Sequence, residues 1–416
     1  MTLAPEPMSH TRPEPPEPGL TEAEVIARAE AIAPTLVPRQ AETEQRTYYA
    51  EDTHEAFSRA GFYRLLVPRR YGGYEFGVDT FMRVARILAR GCPSTGWMYL
   101  FGHAHALAIA TLFDERAQEE LFAGGECICP ATVSPGGTAE RGEHGGWVVD
   151  GTWPYCSGAP YATHFIGHTL VAAAEDAAPQ PMMFIAPRAQ WTRLDDWGGQ
   201  LGLRGSGSHA IRIDHATLPD RYTISAHLSQ LTVTDETPGR ILHGPQYGGG
   251  PLSFMLLELG VLAVGMAQGA LDAYEDLLRN RTTTFFPIVP RTHDPDFQLR
   301  YGEAAGLIAT AEAAIDNAVE QWRDTCERGA SAFTREQELR LATISREVSR
   351  LCWQAVEGKL FPTAGSSSVR HGERIERVWR DMSMMHSHAG LGTFLATIAN
   401  RELTKARFDV PDVTAA

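Results

Sequence analysis

The stretch WVVDGTWPYCSGAPYATHFI, Trp147 to Ile166, breaks with everything before it. Its β-branched and aromatic residues are punctuated by Asp-Gly, Pro and Ser-Gly. That pattern predicts a strand, a tight turn at Asp150-Gly151, a second strand, and a third beginning beyond Ser157-Gly158. Similar short runs, such as PMMFIAP and SHAIRIDHATLP, continue to about Thr232. In the second of these, Ile211 and Ile213 alternate with Arg212 and Asp214, the mark of a half-buried strand. On either side the pattern is helical. Upstream, Ala-rich segments such as DTFMRVARILARG and GWMYLFGHAHALAIATLF repeat at helical spacing, and Thr21 with Glu24 forms a capping signal at the first of them. Downstream, residues 252–280, 295–328, 335–358 and 374–402 are each long enough for one member of a four-helix bundle. The expectation is an α+β chain with an N-terminal α-helical domain (20–125), a middle β-barrel or sandwich (126–235) and a C-terminal four-helix bundle (245–405). Tails at 1–19, rich in Pro and Glu, and at 406–416 flank it.

Charge and cysteine usage narrow the function classes. A formal net charge of −14 over 416 residues repels nucleic acid and anionic membranes, which leaves a small molecule as the expected partner. The six cysteines follow no disulfide or zinc spacing, so a reducing, cytoplasmic setting is expected and no metal site is predicted. The longest apolar run, Pro251 to Ala270, is interrupted by Glu258 and Gln268 and reads as a buried core helix.

Three places carry candidate chemistry. Ser157-Gly158 combines a hydroxyl with a small residue at a strand end, where a flat ligand can approach the backbone. Ser206, Gly207 and Ser208 precede a strand with Arg204 nearby, a combination able to hold a phosphate. RVWRDMSMMHSHAGLG, Arg377 to Gly392, holds two histidines. On a continuous helix Asp381, Met384, Met385 and His388 share one face, whereas His386 and His388 diverge by about 200° and do not chelate one metal together.

VPRRYGG (67–73), GCPSTGW (91–97), VVDGTWPYCSG (148–158), WGGQLGLRGSGS (197–208), LPDRY (218–222) and ERVWRDMSMMHSHAG (376–390) occur in order at family-like spacing. Together they resemble the acyl-CoA dehydrogenase superfamily, and in particular its flavin-dependent, two-component monooxygenase branch, the hydroxylases of the p-hydroxyphenylacetate hydroxylase type. Alignment through Arg380-Asp381 sets Ala389 where the dehydrogenases keep a catalytic carboxylate, and alanine is no base. The resemblance implies that His388 lies over the reactive edge of the flavin as acid/base or polarising group. It further implies that Ser157 sits at flavin N5 and stabilises a C4a-hydroperoxide, that Trp153 and Gly158 line the ring, and that Ser206 and Ser208 lie near the flavin phosphate. Arg281, Ser366, Ser367 and Ser368 would complete the cofactor site of a neighbouring subunit in a homotetramer. His103 and His105 are alternative catalytic histidines, and Trp97, Tyr99, Phe101, Met384 and Met385 are candidate substrate-lining residues. The activity so implied is hydroxylation of a small aromatic or polycyclic substrate with O2 and reduced flavin, FMNH2 or FADH2, supplied by a separate NAD(P)H-dependent flavin reductase. An N-oxygenase acting on an amine or amino sugar is the alternative, and an acyl-CoA dehydrogenase a more distant one.

Overall fold

The computed structural model describes residues 13–171 and 179–410. Seven helices come first: α1 (Glu22–Leu36), α2 (Gln40–Arg46), α3 (Glu51–Arg59), α4 (Val78–Gly91), α5 (Pro93–His103), α6 (His105–Leu112) and α7 (Glu115–Leu121). Thr21 and Glu24 form the capping box that starts α1, each satisfying a backbone N–H of the other's segment. Order begins earlier than the tail expected at 1–19. Glu17 pairs with Arg28 at 2.7 Å and Leu20 is buried, so this Pro-rich lead-in is fastened to α1. The remainder of both expected tails, 1–12 and 411–416, lies outside the described residues.

Seven strands follow: β1 (Thr138–Arg141), β2 (Trp147–Trp153), β3 (His164–Val171), β4 (Gln180–Pro187), β5 (Thr192–Arg193), β6 (Ile211–Leu218) and β7 (Thr223–Ile224). They form one sheet in the order β5-β6-β2-β1-β3-β4-β7, antiparallel except for β1 beside β3. Ile211 and Ile213 point inward and Arg212 and Asp214 outward, as the alternation in β6 required. The Asp150-Gly151 turn does not exist. β2 runs straight through it, and the dipeptide is a bulge where the pairing with β6 shifts between Val149 and Gly151. Gly151 has φ +151°, and a Cβ there would stand 2.4 Å from the Cα of Gly137, so glycine at this point serves close approach and not chain reversal.

The C-terminal region comprises α8 (Pro238–His243), α9 (Pro251–Asn280), α10 (Pro295–Arg328), α11 (Arg335–Ala355), α12 (Phe361–Ala364), α13 (Arg374–His386) and α14 (Ala399–Arg407). α9 is the central member, packed against α10, α11, α13 and, from the first domain, α4 and α5. It is long and apolar enough to cross a membrane, yet 83% of its most apolar window is buried in the bundle, the place expected of a core helix.

The helix expected over 374–402 is broken. α13 stops at His386, His388 is extended (φ −62°, ψ 134°), and the chain re-enters as a wide π-type helix, Ala389–Ile398, before α14. Ser387 donates its hydroxyl to the carbonyl of Met384 at 2.7 Å, which competes with helix continuation, and Gly390 and Gly392 are poor helix formers. The shared face of Asp381, Met384, Met385 and His388 is therefore corrected: His388 lies beyond the helix end and acts as N-cap of the next segment.

Candidate active site

The Arg380-Asp381 pair fastens the sheet domain to the bundle. Arg380 binds Glu376 at 2.5 Å, Glu44 of α2 at 2.8 Å and the carbonyl of Leu201 at 3.0 Å. Asp381, buried, accepts from the backbone N–H of Leu203 at 2.5 Å and from the Ser94 hydroxyl at 3.2 Å. Burial raises this carboxyl to about 7. Gly202 must be glycine for the loop to dock, since a Cβ there would stand 2.1 Å from the carbonyl oxygen of Arg380. The latch sets the height of the loop that carries Ser206 and Ser208.

That loop and the end of β2 meet against α5. Gly158 (φ +97°) and Gly207 (φ +59°) both use the left-handed region, and their backbones lie against Gly102 and Met98. This approach brings three hydroxyls into a row. Ser206 and Ser208 are 2.7 Å apart, Ser208 and Ser157 are 2.7 Å apart, and the indole N–H of Trp97 donates to Ser157 at 3.0 Å. Ser206 and Ser208 are buried and Ser157 is half-buried. A serine oxygen accepts two hydrogen bonds and donates one. Trp97 takes one acceptor position on Ser157, and the Ser157–Ser208 bond can run in either direction; in the arrangement where Ser208 donates, the Ser157 hydrogen is left free for a ligand. Ser208, expected apart from Ser157, is in direct hydrogen-bond contact with it.

His388 packs against the Trp97 indole. Its ring lies 5.4 Å from Trp97, edge-on, and 5.9 Å from Phe101, nearly parallel. Nδ1 accepts from the N–H of Gly390 at 3.2 Å, which fixes the proton of the neutral ring on Nε2. The residue is exposed, but its ring packs on Trp97 and Phe101, and desolvation pushes the imidazole down to about 4. At neutral pH it is an uncharged donor. Ala389, beside it, offers no carboxylate. His386 points elsewhere, 4.7 Å from the ring of Trp353.

Other expected site residues lie apart from this cluster. Trp153 is fully buried behind the sheet, donating to the carbonyl of His168 at 2.9 Å and packed on Phe165 and Phe184, with no surface to line a ring. Tyr99 and Met385 are likewise core residues, while Met384 is half-buried. His103 sits in an aromatic cluster, 4.4 Å from Tyr63 and 5.0 Å from Tyr99, and burial lowers it to about 3. His105 borders a small cavity instead, with Nδ1 shared between the carbonyls of Phe101 (3.0 Å) and Cys129 (2.8 Å). Arg281 donates to Ser367 at 2.6 Å, and the Ser368 hydroxyl is spent on the carbonyl of Ala364. Ser366 and Ser367 are exposed, and no hydrogen bond joins this group to the Ser157 row among the described residues. A group able to hold a cation, Asp150, Asp214 and His215, lies on the sheet surface away from this cluster. The sequence alone gave no sign that the Trp97 indole would organise the serines. Glu258, which faces the same cavity as His105, had stood out only as an interruption in an apolar helix.

The first helical domain, the sheet and the bundle meet around Trp97, which bonds Ser157 and packs on His388. The chain belongs to the acyl-CoA dehydrogenase family, whose N-terminal domain matches residues 22–122 and whose C-terminal domain matches residues 257–392. Among curated relatives, a pigment production hydroxylase of a Rhodococcus species is 29% identical over 89% of this chain and 94% of its own. The oxygenase subunit HsaA of a flavin-dependent monooxygenase from Rhodococcus jostii is 29% identical over 88% and 94%. The crystal structure of the 3-HSA hydroxylase from Rhodococcus sp. RHA1 superposes with a TM-score of 0.82 at 26% identity, covering 93% of this chain and 97% of that one. XiaF from a Streptomyces species, solved with FADH2 and glycerol, shares the fold with a TM-score of 0.83 at 24% identity over 94% and 96%.

Proposed function

We propose that this chain is the oxygenase component of a two-component, flavin-dependent monooxygenase, which receives reduced flavin from a separate reductase and uses O2 to hydroxylate a small aromatic or polycyclic substrate. The observation that carries the reading is the row Trp97–Ser157–Ser208–Ser206 facing His388, with alanine where a dehydrogenase keeps its base. The residues fit a flavin. Gly158 and Gly207 bring their backbones close against α5, and with Ser208 donating to it Ser157 has a hydroxyl hydrogen to offer a ligand. When bound, reduced flavin supplies the electrons that activate O2.

The protein's part is positional and electrostatic. Ser157, held by Trp97 and Ser208, would present its O–H to a bound flavin, and a donor already oriented there needs little reorganisation as charge develops. Ser206 and Ser208 would act through Ser157 as its hydrogen-bonded neighbours. His388, neutral and protonated at Nε2, donates to a substrate oxygen and polarises it; with Nδ1 committed to Gly390, donor is the role its geometry favours over general base. Trp97 and Phe101 form the apolar wall that excludes water beside it.

The cofactor site is completed by a second copy of the chain, in a homotetramer. Arg281 and Ser367 supply polar groups remote from the Ser157 row, next to a loop whose Phe285 and Phe286 are 84% and 93% exposed, a surface suited to burial between subunits. The expected compartment is the cytoplasm, in keeping with six unpaired, buried cysteines. An anaerobic titration tests the assignment. The chain should bind reduced FMN or reduced FAD, and acyl-CoA should leave bound oxidised flavin coloured. Bleaching by acyl-CoA would return the dehydrogenase reading.

A further inference from the structure

Trp97, Phe101 and His105 are spaced four residues apart along α5 and α6, and their neighbours trace a path away from the serine row. Trp97 touches Ser157, Phe101 lies beside His388, and His105 receives the next position through its bond to the carbonyl of Phe101. α9 forms the opposite wall. Leu259 reaches Gly390 next to His388, where a Cβ would stand 3.1 Å from its Cδ1, and Met255 and Glu258 border the same cavity as His105. The lining of that cavity is otherwise nearly all apolar, including Ala104, Leu107 and Phe254. It is tight, about 20 Å³, roughly the space one water or one small polar group needs.

Glu258 is the anomaly in this wall. It is 1% exposed, on the central helix of the bundle, and its Oε2 has no hydrogen-bond partner among the described residues. A buried carboxyl without a partner destabilises a fold unless something else uses it. Across the cavity, His105 has committed Nδ1–H to two carbonyls, so its remaining nitrogen, Nε2, is an acceptor. Burial keeps Glu258 protonated, as its carboxyl is pushed well above the usual range. An acid that can donate opposite an imidazole that can accept is the complement of one hydroxyl group.

We propose that Glu258 is a specificity-determining residue: with His105 it binds a hydroxyl at the end of the substrate remote from the carbon that is oxidised. The preferred substrate class is then a fused or extended aromatic that carries a second, distal hydroxyl, its body lying along Phe101 and His388. Calling the ligand a substrate rests on the oxygenase reading, but the binding test below does not require turnover.

The test compares 1-naphthol with 1,5-dihydroxynaphthalene, one ring skeleton with and without the distal hydroxyl, by calorimetric binding to the full chain. Wild type should favour the diol by about fivefold or more, the return on pairing a buried polar group. Glu258→Gln, which can both donate and accept, should keep the preference. Glu258→Met, close in shape but unable to donate, should reduce it to within about twofold while leaving 1-naphthol affinity intact. An undiminished preference in Glu258→Met overturns the proposal. So does a wild-type chain that binds the two equally, or binds neither. A chain that discriminates between them but transfers oxygen to neither supports this site while refuting the oxygenase assignment.

Discussion

If the buried Ser208 acts only by holding Ser157, the two form a thermodynamic cycle whose outcome can be worked out in advance. Ser208→Ala removes the hydroxyl 2.7 Å from Ser157 at a position that is 3% exposed. Losing one neutral hydrogen bond costs about 1 kcal/mol, so the hold on the Ser157 O–H should weaken and H2O2 should escape about fivefold faster from the oxygen-exposed, reduced-flavin-loaded protein. Ser157→Ala removes the donor itself, which meets developing charge. At about 2 kcal/mol it should speed escape about thirtyfold. The double variant should match Ser157→Ala alone. The assay is stopped-flow mixing with O2 and peroxide detection without substrate, with thermal melts run alongside. If the two effects multiply in the double variant, Ser208 acts independently of Ser157 and the hydroxyl-row argument fails.

Three further outcomes follow from the same structure. Glu258→Met should raise stability by about 1 to 3 kcal/mol in chemical denaturation, since an unpartnered buried carboxyl is replaced by an apolar chain; a loss of stability would mean that Glu258 has a structural partner. His388→Gln should lower product formation, with a substrate in hand, by about a hundredfold while reduced-flavin affinity holds. Because His388 sits at about 4, wild type should show no His388-dependent inflection between pH 6 and 8, and one that vanishes in the variant would refute the neutral-donor role. Asp381, raised to about 7 from its ordinary 3.8, contributes stability that is complete below 3.8 and lost as pH rises through 7, an effect of at most about 4 kcal/mol. Asp381→Asn lacks that loss, so its melting temperature relative to wild type should climb from pH 5 to pH 8.5, and a flat difference would place the raised carboxyl elsewhere.

The architecture was legible because its signals are periodic. α9 and α10 begin and end within a residue or so of the helices expected at 252–280 and 295–328, and the change to strands shows at once in the β-branched runs. Legibility failed where local chemistry overrides periodicity. Gly151 looks like a turn residue, and it is the register shift against β6, with its close approach to Gly137, that reveals a bulge. Ser387 and the glycines after it end α13 early, so His388 reached the Trp97 indole by capping a new helix and not by riding the face of Asp381. In the site, Trp97 bonds Ser157 and packs on His388, and Phe101 lies beside His388, while Trp153 is a core residue of the sheet through its size and its bond to His168. The serine row was hidden because Ser157 and Ser208 stand 51 positions apart and meet only through tertiary contacts, among them the Asp381–Leu203 bond and the bond from the Cys156 N–H to the carbonyl of His209.

The central claim is that this chain receives reduced flavin and directs its reaction with O2. The most direct measurement is double-mixing stopped flow: anaerobic protein with reduced FMN, and separately with reduced FAD, is mixed with O2 while O2 uptake, oxidised-flavin absorbance and H2O2 are followed together. With at least one flavin, O2 uptake should run well ahead of oxidised flavin and H2O2, and Ser157→Ala should shorten that interval. Simultaneous traces at the rate of free flavin, with both cofactors, would contradict the account.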